Sequence, residues 1–356
     1  MAETAGHHIG QLVPHPGGTR ARRAPTIPGQ MRTALGVGFI GIVLASLFAT
    51  SLVVAVGRPR PRAIRIAAVG GRDARPGVFG ALAKAGGIEI TNYATEPEAV
   101  RAIGNQRVYG AVILGERAPR LLVSSASSGP VAHALEALAQ RVAARSSVRF
   151  AVTDLHPLPA GDPQGLVLLY ALIAAMLLGF VTTFLIQVNA PELTLAQSLG
   201  CIAGLAVIGS LAVTLIVGPI LGGLPGSFLA LWAALAGWVA ICSLLARTML
   251  AAVGRFAVVP TVTIIVILGI PSSGAAVGRP LLPTFYRAIG GWLPDGATAD
   301  VARTIAYFPD HPHLGPIAIQ GLWLVGCLAA LIVVRTVRRR RTVRVDRFRK
   351  HRAIGA

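Results

Sequence analysis

The stretch Leu35–Val56, LGVGFIGIVLASLFATSLVVAV, decides the fold. It carries no charge over about the twenty residues that a helix needs to cross a hydrocarbon core about 30 Å thick. Working outward, apolar runs of the same kind recur at Leu166–Ile186, Leu199–Leu221, Ser227–Leu245, Phe256–Ile270 and Pro316–Val334. The run beginning at Phe256 is short and carries Pro260. The sequence therefore predicts a membrane α-helical protein with six transmembrane helices. Composition agrees: 54% of residues are hydrophobic and only 13% charged, where a soluble domain has about 25% charged. Some thirty residues precede the first run and no small-residue cleavage site follows it, the pattern of a retained anchor.

Charge is positional. The formal net charge of +19 gathers in the tail, RTVRRRRTVRVDRFRKHR from Arg335, and in Arg20, Arg22, Arg23 and Arg32. Short basic segments stay on the cytoplasmic side, so both termini are expected there, with the protein in the cytoplasmic membrane. Arg247 and Arg255 fit this orientation, and so does the uncharged turn Gly222–Gly226. Arg58, Arg60, Arg62 and Arg65 oppose it, but they begin a segment of about a hundred residues, where the rule is weak. Residues 1–34 are expected to be a disordered basic leader and 35–56 the first span. Residues 335–356 read as a basic tail that meets anionic lipid, each residue contributing about 1 kcal/mol; nucleic acid is not needed to explain it.

Between the first two spans, residues 57–165 change character: charges return, and short β-branched runs alternate with helical patterns. Strands are expected at Ala63–Val69, Ile88–Tyr93, Tyr109–Leu114, Arg120–Ser124 and Val148–Thr153. Helices fit Gly77–Ala85, Pro97–Ile103 and Pro130–Ala144. Thr95, Glu96 and Glu98 mark the start of the middle helix, because acidic groups favour the positive end of a helix dipole. This predicts a small inserted α/β domain, extracytoplasmic in the orientation above. It has no cysteine, since Cys201, Cys242 and Cys327 all lie in apolar runs.

Catalytic signatures are sparse. A phosphate-binding GxxxxGK followed by Ser or Thr is absent around both Lys84 and Lys350. Ser124, Ser125, Ser127, Ser128, His133 and Asp154 have the residue types of a hydrolase triad, but no GxSxG elbow holds them, and a serine-rich turn capping the helix at Pro130 explains the serines. Asp310, His311 and His313 are interrupted by prolines, and His7 and His8 lack further donors for a tetrahedral metal site. Neither a cofactor nor an enzyme activity is expected. The spans contain no Asp, Glu or Lys, which argues against proton-coupled transport.

Residues 166–334 hold the remaining five spans, interrupted at 271–315 by IPSSGAAVGRPLLPTFYRAIGGWLPDGATADVARTIAYFPD, which begins at Ile270. It is too polar to span and too apolar for a free loop. Its prolines divide it into short helices expected at or dipping into the outer leaflet, with Phe285, Tyr286 and Trp292 as boundary anchors. This segment resembles the region before the last span of type-2 ABC exporter permeases, in the branch related to phage infection proteins. The resemblance rests on Pro271, Ser272, Ser273 and Gly274 as a turn, and on Leu282, Pro283, Phe285 and Tyr286 before an aromatic helix. It continues through Leu293, Pro294, Gly296 and Ala297 to a closing helix with Arg303, Tyr307 and Phe308. EPEAVRAIGNQRVYGAVILG and DLHPLPAGDPQG within the insert are similar to the family as well, and the order of one span, a domain and five spans matches. The resemblance covers about Leu35 to Arg335. It implies a permease subunit moving a hydrophobic or amphipathic compound, forming a homodimer or heterodimer with another permease and engaging a separate cytoplasmic ATPase. It also implies an outer gate in the segment just quoted. The ATPase-coupling position would fall at Asn189, Pro191 and Glu192, in a short loop whose only charge is Glu192. The alternative is a membrane-anchored receptor or assembly platform acting through its inserted domain without transport.

Overall fold

The computed structural model describes residues 29–57, 59–70, 76–115, 118–146 and 148–354. Most of the expected leader, with His7 and His8, lies outside the described residues, as does Arg58. Helix α1 runs Gly29–Val56, so it begins ahead of Leu35 and takes in the end of the segment expected to be disordered. No proline follows Pro28 until Pro59, and nothing in Gly29–Ala34 breaks a helix.

The insert forms one five-stranded mixed sheet, in the order β2-β1-β3-β4-β5. Its strands are β1 Ile64–Val69, β2 Ile88–Tyr93, β3 Gly110–Ile113, β4 Arg120–Val123 and β5 Ala151–Asp154. β1 lies parallel to both β2 and β3, β3 and β4 are antiparallel, and β4 and β5 are parallel. Alternation of side chains across the pleat explains the two cores. Ile64, Ile66, Val112, Leu121 and Val123 point to one face, under α2 (Pro76–Ala83) and α4 (Gly129–Ser146). Ala67, Val69, Ala111, Ile113 and Leu122 point to the other, under α3 (Glu96–Gly104). The central strands are thus covered on both sides, which is why they read as nearly continuous apolar runs.

After the sheet come α5 (Val167–Asn189), α6 (Leu195–Ile220), α7 (Phe228–Val253) and α8 (Val258–Ser272). The short helices α9 (Thr284–Gly290) and α10 (Pro294–Tyr307) follow, and α11 (Leu314–Ile354) ends the described chain. The carboxylate of buried Asp162 accepts the Leu166 and Val167 amides at 2.8 and 3.0 Å, satisfying donors that the start of α5 would otherwise leave bare. α7 is the central helix: Trp238, Val239, Ile241 and Cys242 are fully buried where it packs against α5, α6, α10 and α11. Two π-helical turns, Leu205–Gly209 and Ile216–Ile220, interrupt α6, and a third, Thr263–Gly269, occupies much of α8.

Among the described residues, five helices are long and apolar enough to cross a membrane: Met31–Val56, Val167–Asn189, Leu195–Ile220, Phe228–Phe256 and Leu314–Arg340. The sixth expected span, Phe256–Ile270, is instead the shorter apolar helix α8. Its length of about 22 Å, at 1.5 Å per residue, falls short of a core about 30 Å thick. Large apolar side chains such as Val188, Ile208, Ile220, Leu322 and Val325 face outward along α5, α6 and α11. A contiguous surface of that kind belongs against lipid.

Candidate functional site

The segment after α8 is a connector built into the protein on two sides. Its turn at Ser273 and Gly274 needs a left-handed residue, and Gly274 supplies it at φ 76°. That turn directs the Gly274 carbonyl at Arg303 on α10, whose Nη2 donates to it at 2.7 Å. Arg303 and Arg279 share one carboxylate. Arg279 Nη1 lies 2.8 Å from Asp300 Oδ2, and Arg303 Nη1 lies 3.2 Å from Oδ1. Arg279 also donates from Nη2 to the Gly296 carbonyl at 3.0 Å. Two guanidinium forks around one carboxylate therefore tie the turn, the stretch Arg279–Leu281 and α10 into one body.

On its sheet side the connector continues the insert's own structure. The Arg62 amide donates to the Pro280 carbonyl at 3.0 Å, and its Nη1 donates to the Leu281 carbonyl at 3.0 Å. The Gly278 amide donates to Ser128 Oγ at 3.1 Å, and the same hydroxyl accepts from Val131 at the start of α4. Val277, Leu281, Leu282 and Tyr286 then complete the apolar core beneath α2 and α4. Tyr109, half-buried at the edge of β3, faces the same charges. Burial pushes its phenol above the ordinary value of 10.0, against the pull of Arg303 and Arg279. At the far end of α10, Gln106 donates from Nε2 to Thr304 Oγ1 at 2.9 Å, and His313 Nε2 lies 2.6 Å from the Asn105 carbonyl.

Toward the helices, Ser51 of α1 donates to the Ile267 carbonyl at 2.5 Å, and its hydroxyl lies 2.8 Å from the Tyr286 hydroxyl. Ile267 sits in the π-helical turn of α8, where the wide winding leaves carbonyls in search of donors. Gln320 of α11 donates to the Ala234 carbonyl at 2.8 Å and to Thr298 Oγ1 at 3.2 Å. Asp295 at the start of α10 is 2% exposed, and its Oδ2 has no hydrogen-bond partner among the described residues. A Cβ on Gly269 would come within 2.1 Å of that oxygen, so the carboxyl lies directly on the α8 backbone.

The residues singled out in the sequence distribute as follows. Pro271, Ser272, Ser273 and Gly274 are buried in the turn, and Pro294 and Phe308 are buried at the two ends of α10. Tyr307 donates to the Gly223 carbonyl at 3.3 Å, and the Phe308 ring lies 4.7 Å from that of His156. Pro283 precedes α9 and is partly buried. Phe285 and Trp292 face outward, 58% and 71% exposed, whereas Tyr286 turns inward to Ser51. α10 is an inner helix against α5, α7 and α11, not a piece lying on a surface. Asn189, Pro191 and Glu192 fall at a tight turn between α5 and α6. There Asn189 donates to the Leu185 carbonyl at 2.8 Å, and Thr194 and Gln197 form a reciprocal cap. Glu192 is exposed.

Arg279, Asp295, Asp300, Gln106 and Gln320 are the parts that sequence reading missed. For Arg279, Asp295 and Asp300 the available signal was a set of ionisable residues in a stretch flanked by apolar helices; Gln106 and Gln320, outside that stretch, gave none. The triad residue types do not converge on chemistry. Ser125 donates to Asp154 Oδ2 at 2.5 Å and accepts the Leu158 amide at 3.1 Å, closing a turn, while His133 is exposed on α4. No group of three metal-type ligands occurs among the described residues. The connector fixes the sheet domain to the helical bundle.

The class defined by this fold is a multi-pass integral membrane protein with five candidate spans and an inserted mixed α/β sheet domain. No protein-family model, curated protein or solved structure matches the chain.

Proposed function

We propose that the protein is the permease subunit of an ABC-type exporter, moving a hydrophobic or amphipathic compound outward. In this reading both termini are cytoplasmic, α8 is a short sixth crossing and the sheet domain is extracytoplasmic. The permease pairs with a second copy or a related subunit, and a separate ATPase supplies the energy. The observation that carries the reading is the connector. Several positions that resemble the exporter family lie in it: Leu282 and Tyr286 in the core beneath α2 and α4, Tyr286 also beside Ser51 of α1, Arg303 of α10 on the Gly274 carbonyl, and Phe308 against His156. A movement of the helices would reach the sheet domain through them without passing along a flexible linker. The absence of a phosphate-binding GxxxxGK stretch from the sequence fits an energy source supplied in trans.

A second reading, a membrane-anchored receptor or assembly platform, draws on the turn between α5 and α6. Residues 190–194 leave no room there for a separate helix on which an ATPase could rest. Purification of the full chain from its native membrane in mild detergent, with a photo-cross-linker at Glu192, separates the two. Stoichiometric capture of a nucleotide-binding subunit, together with retention of an amphipathic compound in cells lacking the protein, is expected. Capture of no ATPase together with unchanged export overturns the permease reading in favour of the platform.

A further inference from the structure

A cavity lies in the sheet domain, lined by none of the connector's charged cluster. It is a cleft of about 640 Å³ between α2 and α4, within the range of about 300–1,000 Å³ usual for small-molecule sites. Its floor is apolar: Ile64 and Ile88 from the sheet, and Leu138 and Val142 from α4. Its room comes from α2, which presents Gly77 and Gly80 to it, and a Cβ on either glycine would meet nothing within 4 Å. A helix bearing ordinary side chains at those positions would fill the space.

The rim carries one sign of charge. Lys84 follows α2 on one side, and Arg141 and Arg145, one helical turn apart, line the other. No carboxylate lines the cleft among the described residues, and none of these three cations is in an ion pair there. An apolar floor under three cations that make no ion pair among the described residues matches a molecule with the same division, a chain and an anionic head. A compact polar anion would leave the floor wet, and a neutral hydrocarbon would leave the cations without partners.

We infer that this cleft binds an anionic single-chain lipid, its acyl chain on the floor between α2 and α4 and its headgroup held by Lys84, Arg141 and Arg145. Pro61 lines the cleft, and the next residue, Arg62, holds the connector at Pro280 and Leu281. An occupant is therefore one residue from the link to the helices. The inference deepens the exporter reading by giving the class of amphiphile, and it rests on that reading only for the purpose of binding, not for binding itself.

The test uses the full chain in phosphatidylcholine nanodiscs, labelled with an oleate analogue that has a photoreactive group at the chain end. Labelled peptides are mapped, and oleate competes against oleyl alcohol. Label is expected on the β1 and α4 peptides. Oleate should displace it roughly tenfold better than the alcohol, the scale of one charge-assisted contact. Gly80→Met, whose Cβ would meet nothing within 4 Å and whose side chain extends toward the cleft that Gly80 lines, should abolish the label at unchanged melting temperature. Replacing Lys84, Arg141 and Arg145 together by Gln should remove the preference for oleate. Label confined to other peptides, equal competition by the alcohol, or unchanged labelling of Gly80→Met overturns the inference. None of these results depends on an ATPase, so the failure of this site and the failure of the exporter reading remain separate outcomes.

Discussion

Asp300 is the residue on which the connector turns, because two guanidinium groups depend on its two oxygens. Replacing it by Asn leaves both cations in a partly buried place with a weaker acceptor. The pairs lie between an exposed bridge, contributing about 0.5 kcal/mol, and a fully buried one, where breaking costs about 4. The expected loss is about 2 kcal/mol, read as a lower denaturation midpoint of the purified protein; an unchanged midpoint would show that the forks hold nothing. Gly296 is as constrained, because a Cβ there would lie 1.8 Å from the Gly290 carbonyl. Gly296→Ala should destabilise the protein, whereas Gly200→Ala, in open space, should not. His156, against Phe308, adds a pH dependence. Burial pushes its imidazole below the ordinary value of 6.5, with Asp154 pulling upward and His311 adding to the lowering. The folded protein then binds fewer protons than the unfolded chain, so this stability is fully present above the unfolded value of 6.5 and is lost as pH falls from there through the lowered folded value. A melting series from pH 7.5 to 5.5 should show a smaller acid loss in His156→Phe, which keeps the ring contact, than in the parent.

At the level of elements, the parts legible in the sequence are those whose burial leaves a pattern. β1 and β3 are covered on both faces and so appear as β-branched runs, and α5 and α7 as long uncharged ones. α10 leaves no such pattern, since Gly296, Ala297, Ala299 and Ala302 earn their burial by being small enough for neighbours to close in. Its Asp295, Asp300 and Arg303 lower its apolarity further. Tyr286 has the look of a boundary anchor until Ser51, far away in the chain, takes its hydroxyl. The π-helical turns have no composition of their own: α6 holds two and is still long enough to span, whereas α8 is simply too short. Such a turn accommodates one additional residue while the flanking α-helical segments keep their faces. Deleting exposed Ile208 from the turn in α6 should therefore be tolerated. Deleting exposed Leu177 from the regular α5 would rotate everything after it by about 100°. Recovery of monodisperse protein compares the two, and equal loss would refute the idea that the turn absorbs the change.

For the whole molecule, orientation is the first quantity to measure. Alkaline phosphatase inserted at Gly161 should be active, and a fluorescent protein fused at the C-terminus should fluoresce from the cytoplasm. The reverse pattern would invert the proposed topology. The connector has a further consequence, for the order in which the protein is made. The sheet domain is synthesised early, yet Val277, Leu281, Leu282 and Tyr286 of its core belong to a segment made only after α8. Until then the groove beneath α2 and α4 is unfinished, and closing it requires long-range loop closure. A nascent chain stopped at Phe256 should thus expose that apolar groove and recruit folding helpers or proteases, while the complete chain hides it. Assembly is in this sense self-reporting: the domain is finished only when the helices that carry its last residues have found their places.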